Sequence, residues 1–192
     1  SYTAEPLALR AFYPAQGRET ARVALFVGCT GDWLDADTLR AAITVLTRLG
    51  VAVTIPTGQG CCGALYWHAG KRSSAEPLLK NNRTVFADAD AVITIASGCG
   101  AFLQEQGGLG RQVLDINRFL LDLLWPEYIQ LRPLPAKVAL HTPCSQTDGA
   151  APARLLGKIP HLELYQLPAQ LSCCGAAGTY MLDHGDWAKR LR

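Results

Sequence analysis

Each of the seven cysteines lies a few residues beyond the end of a short apolar run, and at two of these places the chain reads Cys-Cys-Gly. The two are Gly60-Cys61-Cys62-Gly63-Ala64-Leu65 and Ser172-Cys173-Cys174-Gly175-Ala176-Ala177. The runs cover 22–27, 51–55, 91–96 and 137–142, with 162–167 and a shorter 113–116. Runs of this length, apolar without polar alternation, are strands buried on both faces. Between them, Leu39, Ile43, Leu46 and Leu49 recur at helical spacing within 36–49, closed by Gly50. Further helices are expected over 76–87, 117–124, 151–159 and from 177 to 192; Pro77 confines the start of the first of these to Glu76, because proline suits only a first turn. Strands alternating with helices give an α/β fold, a parallel sheet with right-handed crossovers. Open sheets of that kind bind ligands beyond the carboxyl ends of their strands, where this reading puts all seven cysteines.

The spacing repeats. Cys29 and Cys61 are separated by 31 residues, Cys62 and Cys99 by 36, and Cys144 and Cys173 by 28. The chain therefore divides into an irregular lead-in over 1–21, a first cysteine-rich unit over 22–132 and a second over 133–192, with Pro133-Leu134-Pro135 at the boundary. The expected architecture is two Rossmann-like parallel-sheet units related by internal duplication. Only 18 residues follow Cys174, too few for a third strand and a counterpart of Cys99, so the second unit is expected to be truncated.

Composition narrows the functions available. An apolar fraction of 49% suits a folded domain, and a net charge of +2 with no long Lys/Arg run leaves no nucleic-acid footprint. No stretch approaches the ~18 apolar residues of a membrane span. An odd number of cysteines without an export signal points to a reducing compartment and to metal or redox chemistry over structural disulfides. The expected location is the cytoplasm, with peripheral association at the inner face of a membrane as an extension of it. Thiols in such a place bind soft metal or an iron–sulfur cluster, exchange disulfides, or pack as small hydrophobes. Four of them, Cys29, Cys61, Cys62 and Cys99, suffice for a [4Fe–4S] cluster or a closed zinc site. Cys144, Cys173 and Cys174 offer three.

One cysteine, a Cys-Cys-Gly some thirty residues on and a further cysteine about 36 later form a pattern that resembles the cysteine-rich CCG domain. The wording of Gly60–Leu65, Ala96-Ser97-Gly98-Cys99-Gly100-Ala101-Phe102 and Cys173–Tyr180 looks closest to the iron–sulfur subunits of glycolate oxidase, with the cysteine-rich subunit of heterodisulfide reductase as a relative. The resemblance covers about Arg22 to Arg192. It implies an iron–sulfur electron-transfer module of a 2-hydroxyacid dehydrogenase complex, fed by a flavin-containing subunit and discharging toward a quinone or other acceptor. It also implies ferredoxin-type modules upstream, and no catalytic acid or base in this piece. The [4Fe–4S] form leads, because adjacent cysteines suit a cluster spread over several irons; zinc is the alternative, and a fragment can lose its metal altogether. Where the fullest motif ends in Cys-x-x-Cys, this chain has Phe102 in the second position, which weighs against heterodisulfide-type catalysis. A thiol/disulfide catalyst and a zinc-stabilised or metal-free interaction domain stay open as the other readings.

Several neighbours have two readings each. Glycines 28, 60, 63, 98, 100 and 175 either direct backbone N–H groups at sulfur or simply serve turns after strands. His68 is a ligand or a packed histidine; Trp33, Tyr66 and Trp67 shield the site or fill a core. Asp32, Asp35 and Asp37 read as helix-entrance carboxylates.

Overall fold

The computed structural model describes residues 8–167 and 174–191. Its first part is a five-stranded sheet made of β1 (Phe12–Tyr13), β2 (Ala21–Phe26), β3 (Val51–Thr54), β4 (Val92–Thr94) and β5 (Val113–Asp115), in the order β1-β3-β2-β4-β5. β3 lies parallel to β2 on one side, Ala21 opposite Val51. β4 lies parallel on the other, Ala24 opposite Val92, and β5 continues parallel to β4. The fold is α/β, as the apolar runs require.

Alternation along the strands divides the core in two. Val23 and Leu25 of β2, with Val51 and Val53 of β3, join Leu39, Ile43 and Leu46 of α2 (Ala36–Arg48), which follows the single turn α1 (Gly31–Leu34). Ala24 and Phe26 point the other way. They meet Leu79 of α4 (Arg72–Val85), Phe86, and Phe102 and Leu103 of α5 (Ser97–Glu105). A short helix α3 (Ala64–His68) precedes α4, and α6 (Ile116–Asp122) follows β5. Asp115 caps α6 by accepting the Asn117 N–H at 2.9 Å, so the strand ends where the helix begins. Each large side chain wholly removed from water, such as Leu25, Phe86 or Leu103, contributes about 1.5–3 kcal/mol.

The second part is smaller. β6 (Ala136–Leu140) and β7 (Leu162–Gln166) pair in parallel, Ala136 opposite Leu162, and α7 (Ala151–Leu156) connects them. Two short helices follow, α8 (Tyr180–Asp183) and α9 (Gly185–Arg190).

Four local expectations change. Residues 12–13 of the lead-in form an antiparallel edge strand, Phe12 opposite Thr54, so that segment is partly ordered by the sheet. α4 begins at Arg72, which puts Pro77 in its second turn. The carbonyl of Ser73 that Pro77 cannot engage lies on the exposed side, where water can take it. α5 starts at Ser97 directly after the strand, where only a glycine-rich turn was expected. The last helix is broken at His184, between α8 and α9.

Candidate thiolate metal site

The chain leaves β2 for β3 on one side and returns past it to β4 on the other, so β2 and β4 are neighbours whose connections diverge. Divergence of that kind opens a crevice at the carboxyl ends of the two strands. Cys29 lies three residues past β2, Cys99 in the first turn of α5 just past β4, and Cys61 and Cys62 in the loop between β3 and α3. Two loops and the first turn of α5 therefore deliver four thiols to one edge.

Those thiols feel one another. Cys62 S–H donates to Cys99 Sγ at 3.3 Å. That bond, with burial second, pushes the Cys62 thiol far above the ordinary 9.0. The same bond draws Cys99 below it, against burial and the charges of Cys29 and Cys61. Desolvation and then the neighbouring Cys61 thiol raise Cys29. Backbone donors point at the sulfurs as well: Gly63 N–H donates to Cys61 Sγ at 3.4 Å, and the Ala64 N–H reaches Cys62. Gly63 reaches this position at φ +89°, and a Cβ there would stand 3.3 Å from the Ala75 carbonyl oxygen, so glycine is required. Gly100 is required for space, since a Cβ would come within 2.5 Å of Thr94 Oγ1. Gly98 has open space around it and carries no such constraint.

Cys62 is 5% exposed and packs with Phe102 in the second core cluster, Trp67 and Cys99 lying against it. Trp67 and His68 both meet the Phe102 ring edge-on at 5.8 Å. His68 thus packs on an aromatic ring, and Phe102 is core. Trp33 and Tyr66 stay about half exposed, so neither fills a core. Asp32 and Asp37 do lie in first helical turns, but Asp35 makes no side-chain capping bond. Cys144 and Cys174 are exposed in their loops, and Cys173 lies outside the described residues.

Among the described residues no three His, Cys, Asp or Glu side chains form a ready-made metal cage. The fit is one of donor type and reach: sulfur alone, from four residues within mutual hydrogen-bonding or electrostatic range. Binding as thiolates requires Cys62 and Cys99 to part and Cys62 to lose its proton, as metal uptake by thiols generally does.

Two residues that spacing did not single out hold these loops. Asn82 is wholly buried; its Oδ1 accepts Gly60 N–H at 3.1 Å and its Nδ2 donates to the Cys61 carbonyl at 2.9 Å. Gln59 accepts Val27 N–H at 2.7 Å and donates to the Leu25 and Pro56 carbonyls, each at 3.2 Å. The sequence carries a signal for the first: Asn82 continues the buried stripe of Ala75 and Leu79 on α4, and a polar group on such a stripe must have partners.

A fold with thiols gathered at the carboxyl edge of a parallel sheet defines a cysteine-rich α/β module, and a family model for the cysteine-rich domain matches residues 23–104 and 138–192. The chain belongs to that family. It is 34% identical to a fumarate reductase (CoM/CoB) subunit of Methanothermobacter marburgensis, over 82% of this chain and 33% of that one. It is 32% identical to the glycolate oxidase iron-sulfur subunit of Escherichia coli, over 91% of this chain and 48% of that one. Lactate utilization protein A of Geobacillus thermodenitrificans is 30% identical, over 88% and 78%. The chain thus spans about a third to a half of the first two.

Proposed function

We propose that this chain is the cysteine-rich electron-carrying part of an oxidoreductase, with Cys29, Cys61, Cys62 and Cys99 holding a [4Fe–4S] cluster. The observation that supports this reading is the delivery of four thiols to the switch-point crevice by two loops and the first turn of α5. Relatives named as iron-sulfur subunits point the same way. A bound cluster supplies one-electron transfer. Around it, the N–H groups of Gly63 and Ala64 offset negative charge on Cys61 and Cys62, which favours the reduced form and raises the potential. Trp67 and Phe102 keep water from the Cys62 side.

The chain has no flavin or substrate motif, so electrons enter from a flavin-containing oxidoreductase subunit and leave toward a quinone or other acceptor, with ferredoxin-type modules elsewhere in the full protein. Cys144, Cys173 and Cys174 contribute to a second cofactor site. Among the described residues no helix is long and apolar enough to cross a membrane.

The test is anaerobic purification with visible spectroscopy and assays for iron, sulfide and zinc. Broad sulfide-to-iron charge-transfer absorption with about four irons and four sulfides per chain is expected. One zinc without colour would make the site structural. No metal, even after reconstitution under reducing conditions, would overturn the reading.

One observation favours a second reading. Cys62 and Cys99, at 3.3 Å, can form a disulfide with loss of two protons and two electrons, which makes the pair a thiol-based redox couple. Thiol titration of metal-free chain before and after mild oxidation separates the two: a loss of two thiols with no metal bound selects this one.

A further inference from the structure

The loop from Ile55 to Gly63 has no strand or helix to satisfy its backbone, yet it ends at two of the four sulfurs. Unpaired peptide groups beside a half-buried site are costly, and water cannot hold a loop in one shape. Two carboxamides do both jobs at the ends that carry the sulfurs. Asn82 grips the peptide groups on either side of the Gly60–Cys61 link, one as acceptor and one as donor, from the rigid interior of α4. Gln59 ties the same loop to the end of β2 through Val27 N–H and the Leu25 carbonyl, two residues before Cys29. A carboxamide holds an acceptor oxygen and a donor nitrogen on one carbon, a spacing that no hydroxyl, carboxylate or ammonium reproduces with both bonds kept.

We infer that Asn82 and Gln59 are positioning residues of the thiolate site: Asn82 sets Cys61 and Cys62 against Cys99, and Gln59 sets that loop against Cys29. This rests on the reading of the four thiols as one site. It goes further in assigning the geometry of the sulfurs to two residues that touch none of them. Asn81, one residue away, is the internal control, because its Nδ2 bonds only the Gly58 carbonyl at 2.8 Å from an exposed position.

The experiment has a metal-free arm and a metal-loaded arm, on the whole chain with Asn82→Ala, Gln59→Ala and Asn81→Ala. In reduced, metal-free protein, alkylation of Cys62 is followed peptide by peptide by mass spectrometry, with circular dichroism and melting temperature measured alongside. Losing the two Asn82 bonds should speed Cys62 alkylation about tenfold or more, equivalent to about 1.4 kcal/mol of easier loop opening. Gln59→Ala should speed Cys61 and Cys62 together, and Asn81→Ala should leave both at the wild-type rate. In reconstituted protein, Asn82→Ala and Gln59→Ala should bind metal about 10–100-fold more weakly and shift the electron paramagnetic resonance signature of the reduced site, as loss of outer-shell partners does elsewhere. Should Asn82→Ala fail to fold, Gln59→Ala, at a half-buried loop position, decides. Folded variants with wild-type Cys61 and Cys62 protection and an unchanged signature would overturn the inference. If wild type itself takes up no metal while the alkylation differences appear, the cluster reading fails and the positioning role stands.

Discussion

The sequence reads Cys-Cys-Gly twice, at 61–63 and 173–175, and the described surroundings of the two glycines differ. At the first, Gly63 follows the cysteine pair at φ +89°, and a Cβ there would stand 3.3 Å from the carbonyl oxygen of Ala75, a buried alanine of α4. At the second, Gly175 follows its pair at φ +70°, and a Cβ there would collide with the carbonyl oxygen of Ala188, a buried alanine of α9. Beneath Gly63 lie a five-stranded sheet and two core clusters; beneath Gly175 lie two strands whose described residues are all half-buried or exposed. Among the described residues beyond 133, only Ala151 and Ala188 are buried apolar side chains. The comparison separates loop from scaffold. Each glycine sits against a helix in a left-handed conformation, whereas gathering four thiols needs neighbouring strands whose connections diverge.

The sharpest way to break this contrast is to remove one thiol from each unit. Cys62→Ser is expected to abolish uptake of the proposed cluster, since it removes a buried thiol and the donor to Cys99, while Cys144→Ser, at an exposed loop, leaves the irons of that first site in place. Equal loss in both would mean that the units build one site together. Next in size is packing. Phe102→Ala should cost about 3–5 kcal/mol in denaturant unfolding, because the ring is 4% exposed among Trp67, His68 and the second core cluster. Tyr165→Ala, on exposed β7, should stay within about 0.5 kcal/mol.

The two Cys-Cys-Gly sequences can be tested at their glycines. Gly63→Ala and Gly175→Ala should each cost about 1–3 kcal/mol, because both demand a left-handed backbone and both collide with a helix carbonyl. Gly98→Ala meets nothing within 4 Å and should be neutral. A neutral Gly175→Ala would end the equivalence of the two turns.

Smaller still is the titration of the thiol pair. In metal-free chain at about pH 8, Cys99 should alkylate about tenfold faster than Cys62, since thiolate is the reactive form and the bond between them lowers one thiol while raising the other. The depressed Cys99 value stabilises the fold above the ordinary 9.0 and loses that contribution as pH falls; the raised Cys62 value stabilises it below 9.0 and loses that contribution as pH rises. The pair therefore contributes most near pH 9, and Cys62→Ala should return the Cys99 alkylation profile toward the ordinary thiol range. An unshifted Cys99 profile in that variant would show that the two do not share a proton.

Much of this was legible in the residues. The apolar runs at 22–27, 51–55 and 91–96 mark strands because parallel strands are covered on both faces, and the cysteines after them follow from where such strands end. The edge strand at Phe12–Tyr13 was not legible: two residues have no period, and only the partner at Val53–Thr54 makes them a strand. Arg72 as the start of α4 was hidden by Pro77, whose lost bond is harmless only because Ser73 faces water. Asn82 was visible as a polar residue on a buried stripe, but its partners, Gly60 and Cys61, lie 22 and 21 residues away and belong to tertiary structure.

The gentlest probe asks how the second unit, with so little core of its own, keeps its place. A two-stranded sheet is marginal alone, so β6 and β7 depend on what α7 meets: Leu155 packs against the first core cluster, and Lys158 lies over the Trp125 ring at 5.5 Å. The cysteine edges of the two units also touch. Ser97 Oγ and Ser145 Oγ are 2.8 Å apart, beside Cys99 and Cys144, and a Cβ on Gly178 would stand 3.1 Å from Leu65. The Arg118–Asp148 pair spans the units too, but it is exposed and salt will screen it. Ser145→Ala removes one neutral, partly buried hydrogen bond and should cost about 1 kcal/mol. Hydrogen exchange should show that cost in β6 and β7 while β2 and β4 keep their protection, because only the smaller unit depends on the contact. Faster exchange in β2 instead would mean that the larger unit is the dependent one.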